Sequence, residues 1–545
     1  MHSCSDAEER SSATAVRLRR PGFRVSIFLL LICAGALAFR LPRLMERPLH
    51  TDEAVHVFST GVLLDTGKYV YDPNEYHGPT LYYFTFPFIR LSGAKSYRDV
   101  ATLIPFRIVP VVFGAGLILL LLFFTDAIGP RAAIVAGILT AISPAMVFYS
   151  RYYIQEMLLI FFTFGAIVAG WRYTRGRRLG WALLGGASLG FMHATKETSA
   201  IAYGAMLGAT ILTIVWTRWI DGRRLHLPDY FHHWHAAGAL KVAAVVSILC
   251  LTALLSNPAA TLDALRSYSR YFQRAATGGS SADMDSPGIH AHPWYYYLRM
   301  LALFRYGGGP WWSEGLILLL AAAGIVKALK KRSLAGEANI HVTRFLAFYT
   351  VLLIGIYSAI PYKTPWCMLG FLHGAILMAG VGAVAIREWL PRRWLRRTAA
   401  ALFVIGVLHL GLQAYRGSFV LYADARNPYV YGHTSTDFLR LVERMEGLAK
   451  IHPEGYGMPI RLIVPGSDYW PLPWYLRRFE EVTPSDKVPE DADAAVIITT
   501  PDLQEDLDRR LRDRYFKEVF GLRPGVLLVA YIQQPLWDAF IRTRE

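Results

Sequence analysis

Apolar stretches of membrane-spanning length, about eleven in all, divide the chain between residues 24 and 416. A run of roughly 20 apolar residues with few charges indicates a transmembrane helix. The composition agrees, because 54% of the 545 residues are hydrophobic, more than a soluble chain of this length carries. The sequence therefore predicts an α-helical polytopic membrane protein. The predicted spans are residues 24–40, 104–125, 131–149, 155–172, 179–194, 197–216, 239–256, 313–329, 344–361, 366–387 and 398–416.

Basic residues cluster in alternate loops, and this pattern predicts the orientation of the chain. Positively charged loops stay on the cytoplasmic side. Residues 1–23 are therefore predicted to be a cytoplasmic tail, and an odd number of spans puts the C-terminus outside. The loops account for the net charge of +16, so we expect no nucleic-acid partner. The basic loop residues are Arg172, Arg175, Arg177, Arg178, Arg218, Arg223, Arg224, Lys327, Lys330, Lys331, Arg332, Arg387, Arg392, Arg393, Arg396 and Arg397.

Residues 420–545 have the pattern of a soluble domain. Leu462 to Val464, Ala494 to Thr499 and Val526 to Tyr531 are short apolar runs rich in β-branched residues, which favour strands. Charged, helix-like stretches such as Asp502 to Lys517 lie between them. We expect a small extracytoplasmic α/β domain after a membrane domain of residues 24–416.

Two long loops, residues 41–103 and 257–312, are predicted on the outer side. Leu81 to Leu91 is apolar but short and contains Pro87, so it is expected to lie in the membrane interface. In the second loop Asp283 and Asp285 could contribute to a divalent metal site, but no complete ligand set is visible. No other cofactor is predicted. Ala36 to Ala38 also resembles a signal cleavage site, although the later spans anchor the chain.

Seven charged residues lie at the predicted outer ends of the spans. They are Arg107, Arg151, Glu156, Lys196, Glu197, Glu314 and Lys363. An ion relay through the bilayer needs charged groups at mid-depth, so this pattern favours chemistry at the outer surface. The alternative is that these side chains simply snorkel towards water.

Asp52 and Glu53 follow the first span directly. A carboxylate there can deprotonate an acceptor hydroxyl, and adjacent carboxylates favour a shifted pKa for one of them. Both are predicted to be catalytic, while Tyr76 and His77 farther along the loop are predicted to bind an acceptor. The alternative is a helix cap, in which Thr51 or Asp52 caps a helix that begins near Ala54.

Three basic residues are predicted to bind a phosphate at the outer surface. Arg151 can form a bidentate contact to phosphate, and Glu156 is close enough to orient it. Lys196, with Glu197 beside it, and Lys363 can neutralise a lipid phosphate. The alternatives are a salt bridge at a helix end and interfacial anchoring.

These motifs resemble those of the GT-C class of membrane glycosyltransferases, particularly protein O-mannosyltransferases and aminoarabinose transferases. Asp52-Glu53 is similar to the acidic pair in their first outer loop. Ser150-Arg151-Tyr152 with Glu156 resembles an O-mannosyltransferase motif in which Asp is usual at the acidic position. The resemblance implies a polyprenyl-phosphate-linked sugar as donor and transfer outside the membrane. Lys196 and Lys363 resemble basic residues of later outer loops in that class.

Further stretches resemble a subfamily named for association with lipid-linked-oligosaccharide flippase activity in archaeal N-glycosylation. They are Asp52-Glu53-Ala54, Tyr76-His77-Gly78-Pro79 and Tyr362-Lys363-Thr364-Pro365-Trp366. The name of that subfamily does not establish flipping.

Two functions follow as hypotheses. The first is a glycosyltransferase of the plasma (inner) membrane, which transfers a sugar to a lipid, glycan or protein acceptor with Asp52 as general base. The second is a flippase, or a flippase accessory, that binds lipid-linked glycans without catalysis. The second predicts polar groups deep in the membrane, and the charged residues show none there.

Overall fold

The computed structural model describes residues 22–69, 71, 77–222, 232–277, 290–330, 338–511 and 514–544. Its helices are α1 (Phe23–Arg40), α2 (Thr51–Thr66), α3 (Thr80–Ser92), α4 (Ile104–Leu120), α5 (Thr125–Ile128), α6 (Pro130–Ile142), α7 (Pro144–Tyr149), α8 (Glu156–Gly176), α9 (Leu179–His193), α10 (Ser199–Asp221), α11 (His233–Leu251), α12 (Ala260–Thr277), α13 (Tyr296–Ala302), α14 (Gly315–Leu329), α15 (Ile340–Ala359), α16 (Leu369–Trp389), α17 (Arg393–Tyr415), α18 (Phe438–Ala449), α19 (Leu472–Tyr475), α20 (Gln504–Leu511) and α21 (Gln534–Arg542). Its strands are β1 (Ile460–Ile463), β2 (Val482–Ser485), β3 (Val496–Thr499), β4 (Tyr515–Arg523) and β5 (Val526–Gln533).

Apolar helices make up the membrane domain. Within the described ranges, eight helices are long and apolar enough to cross a membrane: α1, α4, α8, α10, α11, α15, α16 and α17. The other three predicted spans also contain helices, but α6, α9 and α14 have only 13 to 15 residues. The predicted class, a multi-pass helical membrane protein, is therefore confirmed, while the number of eleven crossings stays a prediction.

Glycines allow the membrane helices to pack with their backbones in contact. A Cβ atom at Gly382 of α16 would lie 1.8 Å from the carbonyl oxygen of Leu320 in α14. A Cβ at Gly186 of α9 would lie 2.1 Å from the carbonyl oxygen of Ala239 in α11. In lipid, where apolar side chains gain little by leaving the solvent, such close backbone packing holds helices together.

Helices α2 and α3 lie in the first of the two loops that are predicted on the outer side, and α12 and α13 lie in the second. The segment that was predicted in the interface, Leu81 to Leu91, is the body of α3 and includes Pro87. Asp283 and Asp285 lie outside the described residues. In the described part of the chain, no three His, Cys, Asp or Glu side chains are grouped to hold a metal ion.

The C-terminal segment forms the predicted α/β domain around a mixed five-stranded sheet of order β2-β1-β3-β5-β4. Strands β1, β2 and β3 are parallel, and β4 and β5 form an antiparallel hairpin. Helices α18, α19 and α21 cover one face of the sheet and α20 covers the other. The helix expected over Asp502 to Lys517 ends at Leu511, because Tyr515 already pairs with Gln533 in the hairpin. Strand pairing overrides local helix preference here.

The C-terminal domain packs on the outer helices of the membrane domain. The Leu49 N–H donates to the Tyr475 hydroxyl at 3.0 Å, and the Thr434 hydroxyl donates to the Leu49 carbonyl at 2.5 Å. The Arg477 guanidinium donates to the Val100 carbonyl at 2.7 Å. The Leu49 contacts fix the short segment that leads into α2, and the Arg477 contact fixes the segment before α4.

Candidate active site

Helix α2 begins at Thr51, and its N-cap is His50 rather than Thr51 or Asp52. The His50 Nδ1 atom accepts the Asp52 backbone N–H at 3.0 Å. The Glu53 carboxylate accepts the His50 backbone N–H at 3.3 Å. These reciprocal bonds satisfy donors that a helix start would leave open. Asp52 and Glu53 therefore both lie in the first turn, so the predicted capping role of Thr51 or Asp52 is wrong.

Glu53 is fully buried and fully engaged. Its carboxylate accepts from Arg107 at 2.8 and 2.9 Å, from Arg47 at 3.0 Å and from the Tyr153 backbone N–H at 2.9 Å. Burial alone would raise the pKa of Glu53, but the two guanidiniums and the hydrogen bonds lower it to about 2. A carboxylate held in this way is a poor proton acceptor at neutral pH. The geometry favours a positioning role for Glu53, and its catalytic role stays a prediction.

Asp52 is accessible, with 43% of its side chain exposed. Its carboxylate lies 3.8 Å from the His50 Nδ1 atom. Because Nδ1 already accepts the Asp52 N–H, the ring proton is on Nε2, which donates to the Tyr431 carbonyl at 2.9 Å. In this tautomer the ring N–H of His50 points to Tyr431 and not to Asp52. The two adjacent carboxylates thus occupy different environments, and only Asp52 is open to a substrate.

An aromatic wall (His50, Tyr152, Trp366 and Tyr431) stands beside Asp52. The ring of Trp366 lies 6.1 Å from that of His50, 6.0 Å from that of Tyr152 and 5.9 Å from that of Tyr431. The Tyr431 hydroxyl and the His290 Nδ1 atom are 2.6 Å apart, so the second outer loop reaches the same place. Burial lowers the pKa of His290, and the negative charge of Asp52 partly opposes the shift.

An apolar groove begins at the other side of Trp366. Helices α8, α10, α15 and α16 supply its walls. Its polar end holds an ion pair between Lys196 and Glu156, both buried. Burial disfavours the charged form of Lys196, but the Glu156 carboxylate more than offsets this and raises the pKa of the ammonium. The Glu156 Oε2 atom has no hydrogen-bond partner among the described residues. The groove-lining residues include Leu159, Ile160, Phe164, Leu353, Tyr357, Trp366, Cys367, His373 and Leu377.

Lys363 is a buried cation three residues before Trp366. Its ammonium donates to the Ile360 carbonyl, and in the described ranges it forms no ion pair with a carboxylate. Burial lowers its pKa. A buried ammonium without a counter-charge is unfavourable unless an anion joins it. The sequence predicts that Lys363 binds a phosphate, and this role stays a proposal.

Arg151 does not face the groove. Its guanidinium donates to the backbone carbonyls of Arg40, Pro42 (2.7 Å) and Arg43 (3.1 Å). It also lies 4.4 Å over the ring of Phe419. These carbonyls accept the Arg151 donors, and Glu156 pairs with Lys196 rather than with Arg151. Binding of the donor phosphate by Arg151 stays a prediction.

His77 and Glu197 form a buried link between two outer segments. The His77 Nδ1 atom lies 2.7 Å from one Glu197 oxygen, and the Tyr71 hydroxyl donates to the other at 2.7 Å. Burial would raise the pKa of Glu197, but His77 and these hydrogen bonds lower it. The geometry favours support of the turn that carries Lys196 over the predicted contact with an acceptor. Tyr76 lies outside the described residues.

Sequence reasoning missed His50, Arg47 and Tyr431. A signal existed for His50, because Glu53 stands at the third helical position after it, where capping boxes place Glu. Arg47 and Tyr431 act through contacts between segments that are distant in sequence, and no local pattern identifies such contacts.

Glu314, predicted at an outer end, is buried and accepts from Ser143 (2.6 Å), the Ala145 N–H and Tyr429 (both 2.9 Å).

Comparison with known proteins places the chain in a class. Residues 76–254, about a third of the chain, match the family model described as Dolichyl-phosphate-mannose-protein mannosyltransferase. No curated protein matches the sequence. The fold and the matched segment resemble those of membrane glycosyltransferases of the GT-C class.

Two solved structures resemble the whole chain. One is the crystal structure of ArnT from Cupriavidus metallidurans bound to undecaprenyl phosphate, with a TM-score of 0.60, 14% identity and coverage of 92% of this chain and 97% of that chain. The other is the apo crystal structure of the oligosaccharyltransferase from Archaeoglobus fulgidus, with a TM-score of 0.56, 11% identity and coverage of 94% and 76%. At these identities the likeness shows a shared fold. The subfamily indicated by the sequence motifs stays a prediction.

Proposed function

We propose that this protein transfers a sugar from a polyprenyl-phosphate donor to an acceptor hydroxyl at the extracytoplasmic face of the plasma (inner) membrane. The observation that carries the proposal is the apolar groove that ends at the Lys196–Glu156 pair. A groove of this kind suits a polyprenyl chain with its phosphate at the charged end. The ArnT crystal structure, which has a similar fold, is bound to undecaprenyl phosphate, and this supports the donor class.

Two lysines provide the positive charge for the donor phosphate. Lys196 uses one N–H for Glu156 and has others for phosphate oxygens. Lys363 lies three residues from Trp366, which lines the groove, and has no carboxylate partner in the described part of the chain. Both ammoniums stabilise the charge that develops on the phosphate as it leaves. The Glu156 Oε2 atom remains available to accept a hydrogen bond from the sugar.

Asp52 acts on the acceptor. Its carboxylate takes the proton of the acceptor hydroxyl as that oxygen attacks the anomeric carbon of the donor. The bond between the anomeric carbon and the phosphate oxygen breaks, and its electron pair stays on the polyprenyl phosphate. A single displacement inverts the anomeric configuration. The acceptor approaches through the accessible space between Asp52, His290 and Tyr431.

The test compares Asp52→Asn with wild type in proteoliposomes that contain a panel of synthetic polyprenyl-phosphate sugars and an extract of acceptor molecules. We expect Asp52→Asn to lower donor consumption by about 10²- to 10⁴-fold, the usual contribution of a general base. Binding of polyprenyl phosphate should be unchanged in Asp52→Asn and lost in Lys196→Gln. The matched control is Glu46→Gln, which neutralises an exposed carboxylate of the same loop.

Full transfer by Asp52→Asn would reject the assignment of the base. If neither protein consumes any donor of the panel while lipid-linked sugar moves between leaflets, the proposal of a transferase fails and the flippase hypothesis replaces it.

A further inference from the structure

Four buried arginines converge on the segment that leads into α2, with one buried carboxylate among them. Arg40, Arg47, Arg107 and Arg151 are all less than 9% exposed. In the described ranges, Glu53 pairs with Arg47 and Arg107, while Arg40 and Arg151 form no ion pair. The Ser150 hydroxyl accepts one hydrogen bond from Arg40, and backbone carbonyls accept the others that these arginines donate. Carbonyl dipoles satisfy guanidinium hydrogens, but they do not neutralise charge.

A small cavity lies where three of these guanidiniums meet. It is lined by Leu44, Arg47, Arg107, Phe148, Arg151 and Ser418. None of these residues lines the apolar groove. At the cavity, the Arg47 guanidinium lies 5.4 Å over the ring of Phe148 and 4.7 Å over the ring of Tyr152. The cavity is therefore distinct from the proposed donor site.

Two buried polar atoms at this cavity have no partner among the described residues. They are the Arg47 Nε atom and the Ser418 Oγ atom. The residues are 7% and 5% exposed, so water does not satisfy them freely. Buried donors are nearly always paired, and each exception calls for an explanation. Both atoms can donate to an anion, and a guanidinium N–H can act only as a donor.

The backbone at Ser418 is also unusual. Helix α17 ends in a π-helical turn over Arg416–Val420 instead of a regular last turn. This turn places Ser418 at the cavity and Phe419 against Arg151. Short π-helical turns inside longer helices are frequently found at functional sites.

The electrostatic environment agrees with this geometry. Burial, together with the positive charges of Arg47 and Arg107, lowers the pKa of Arg151 to about 9. Burial also lowers the pKa of Arg47, and Glu53 only partly opposes that shift. Both groups are charged at neutral pH, at a cost that a bound anion would reduce.

We propose that this cavity is a binding site for a small inorganic anion, held by the Arg47 Nε–H and the Ser418 hydroxyl with charge support from Arg107 and Arg151. Because Glu53 shares Arg47 and Arg107 with the cavity, the anion would balance the cations that hold the first turn of α2. The site takes no part in the chemistry of transfer.

The experiment measures thermal unfolding of the purified, delipidated full-length protein. Sodium gluconate is replaced stepwise by sodium bromide or sodium phosphate at constant ionic strength. A ligand that binds only the folded state raises the Tm as its concentration increases. We expect a saturating rise of a few degrees in wild type and no rise in Ser418→Val, which fills the cavity without removing a charge. Crystals grown in bromide should show an anomalous peak within about 3.5 Å of the Arg47 Nε and Ser418 Oγ atoms.

Ser418→Ala separates a folding defect from loss of the site. It should keep the Tm of wild type in gluconate while weakening the anion response several-fold. A response to bromide or to phosphate that Ser418→Val abolishes supports the site and identifies its anion. An equal response in Ser418→Val, or no response to either anion, would overturn the proposal. Stabilisation by polyprenyl phosphate alone would also overturn it. None of these readouts depends on sugar transfer.

Discussion

At the scale of single residues, the two neighbouring carboxylates of the site, Asp52 and Glu53, lie in different environments. Glu53 is a fixed negative charge under two arginines, whereas Asp52, one position earlier, faces the accessible space. A buried ion pair that loses one partner leaves the other charge without compensation. The positions of the two carboxylates therefore predict different kinds of defect on mutation.

Glu53→Gln should lower the stability of the protein by about 3–5 kcal/mol, because Arg47 and Arg107 would lose the buried carboxylate that they share. The folded pKa of about 2 lies below the usual 4.5, so the stabilisation is complete above pH 4.5 and disappears as the pH falls towards 2. The Tm of wild type should fall between pH 5 and pH 3. Glu53→Gln should begin lower and change less over that interval. Parallel Tm curves for the two proteins would contradict the assignment.

The sequence identifies the acidic pair but not the division of labour within it. Successive residues of a helix point about 100° apart, so only one of the two can face the interior. Which one does so depends on Arg107, which is 54 positions away, and on Arg47 in an irregular segment. The same limit applies to Arg151: its position in an outer loop is predictable, whereas the carbonyls of residues 40–43 that bind it are not.

At the scale of elements, the loops that carry the site are held by close backbone contacts. Gly78 follows His77, and a Cβ atom there would lie 2.0 Å from the Ala194 carbonyl oxygen. The turn from Ala194 to Glu197 includes Lys196. The first outer loop therefore supports the turn that carries the proposed phosphate-binding lysine.

Gly78→Ala should displace that turn, since a backbone oxygen has no flexible side chain to move aside. We expect at least a tenfold weaker binding of polyprenyl phosphate, with the helical content of the protein unchanged. Gly204→Ala in α10 is the matched control, because no atom lies within 4 Å of the Cβ it would add. Binding can be measured by the quenching of tryptophan fluorescence. Equal affinities of the two variants would show that the contact is unimportant.

The apolar helices were predictable because lipid imposes length and composition on every crossing segment. The strands β1, β3 and β5 were predictable from β-branched runs. Strand β4 was not, because its sequence includes charged residues such as Lys517 and Glu518, and only its pairing with β5 makes it a strand.

At the scale of the whole molecule, the C-terminal domain supports the start of α2 from outside. The Arg477 guanidinium stacks 3.7 Å over the ring of Trp474 and donates to the Val100 carbonyl, which joins the domain to the segment before α4. The fold class was predictable at this scale. The docking of the domain was not, since it depends on a few contacts between distant segments.

Arg477→Ala should lower kcat for transfer about tenfold while leaving the affinity for polyprenyl phosphate unchanged, because the groove is built from other helices. The matched control is Arg478→Ala. The Arg478 side chain contacts Tyr456 and Glu446 within the domain itself. Steady-state kinetics with a defined donor would separate the two effects. Similar losses in both variants would indicate a general weakening of the domain instead of a role at the interface.

The bond from His50 to the Tyr431 carbonyl also has a consequence for biosynthesis. The two residues are separated by 381 positions in the chain. At about 5–20 residues per second, the ribosome reaches Tyr431 roughly 20 to 80 seconds after it has made His50. Until then the first turn of α2 lacks its outer support, and the last membrane helix has only just been inserted. A nascent chain that already displays Asp52 at the membrane surface should therefore remain inactive until its final quarter is translated.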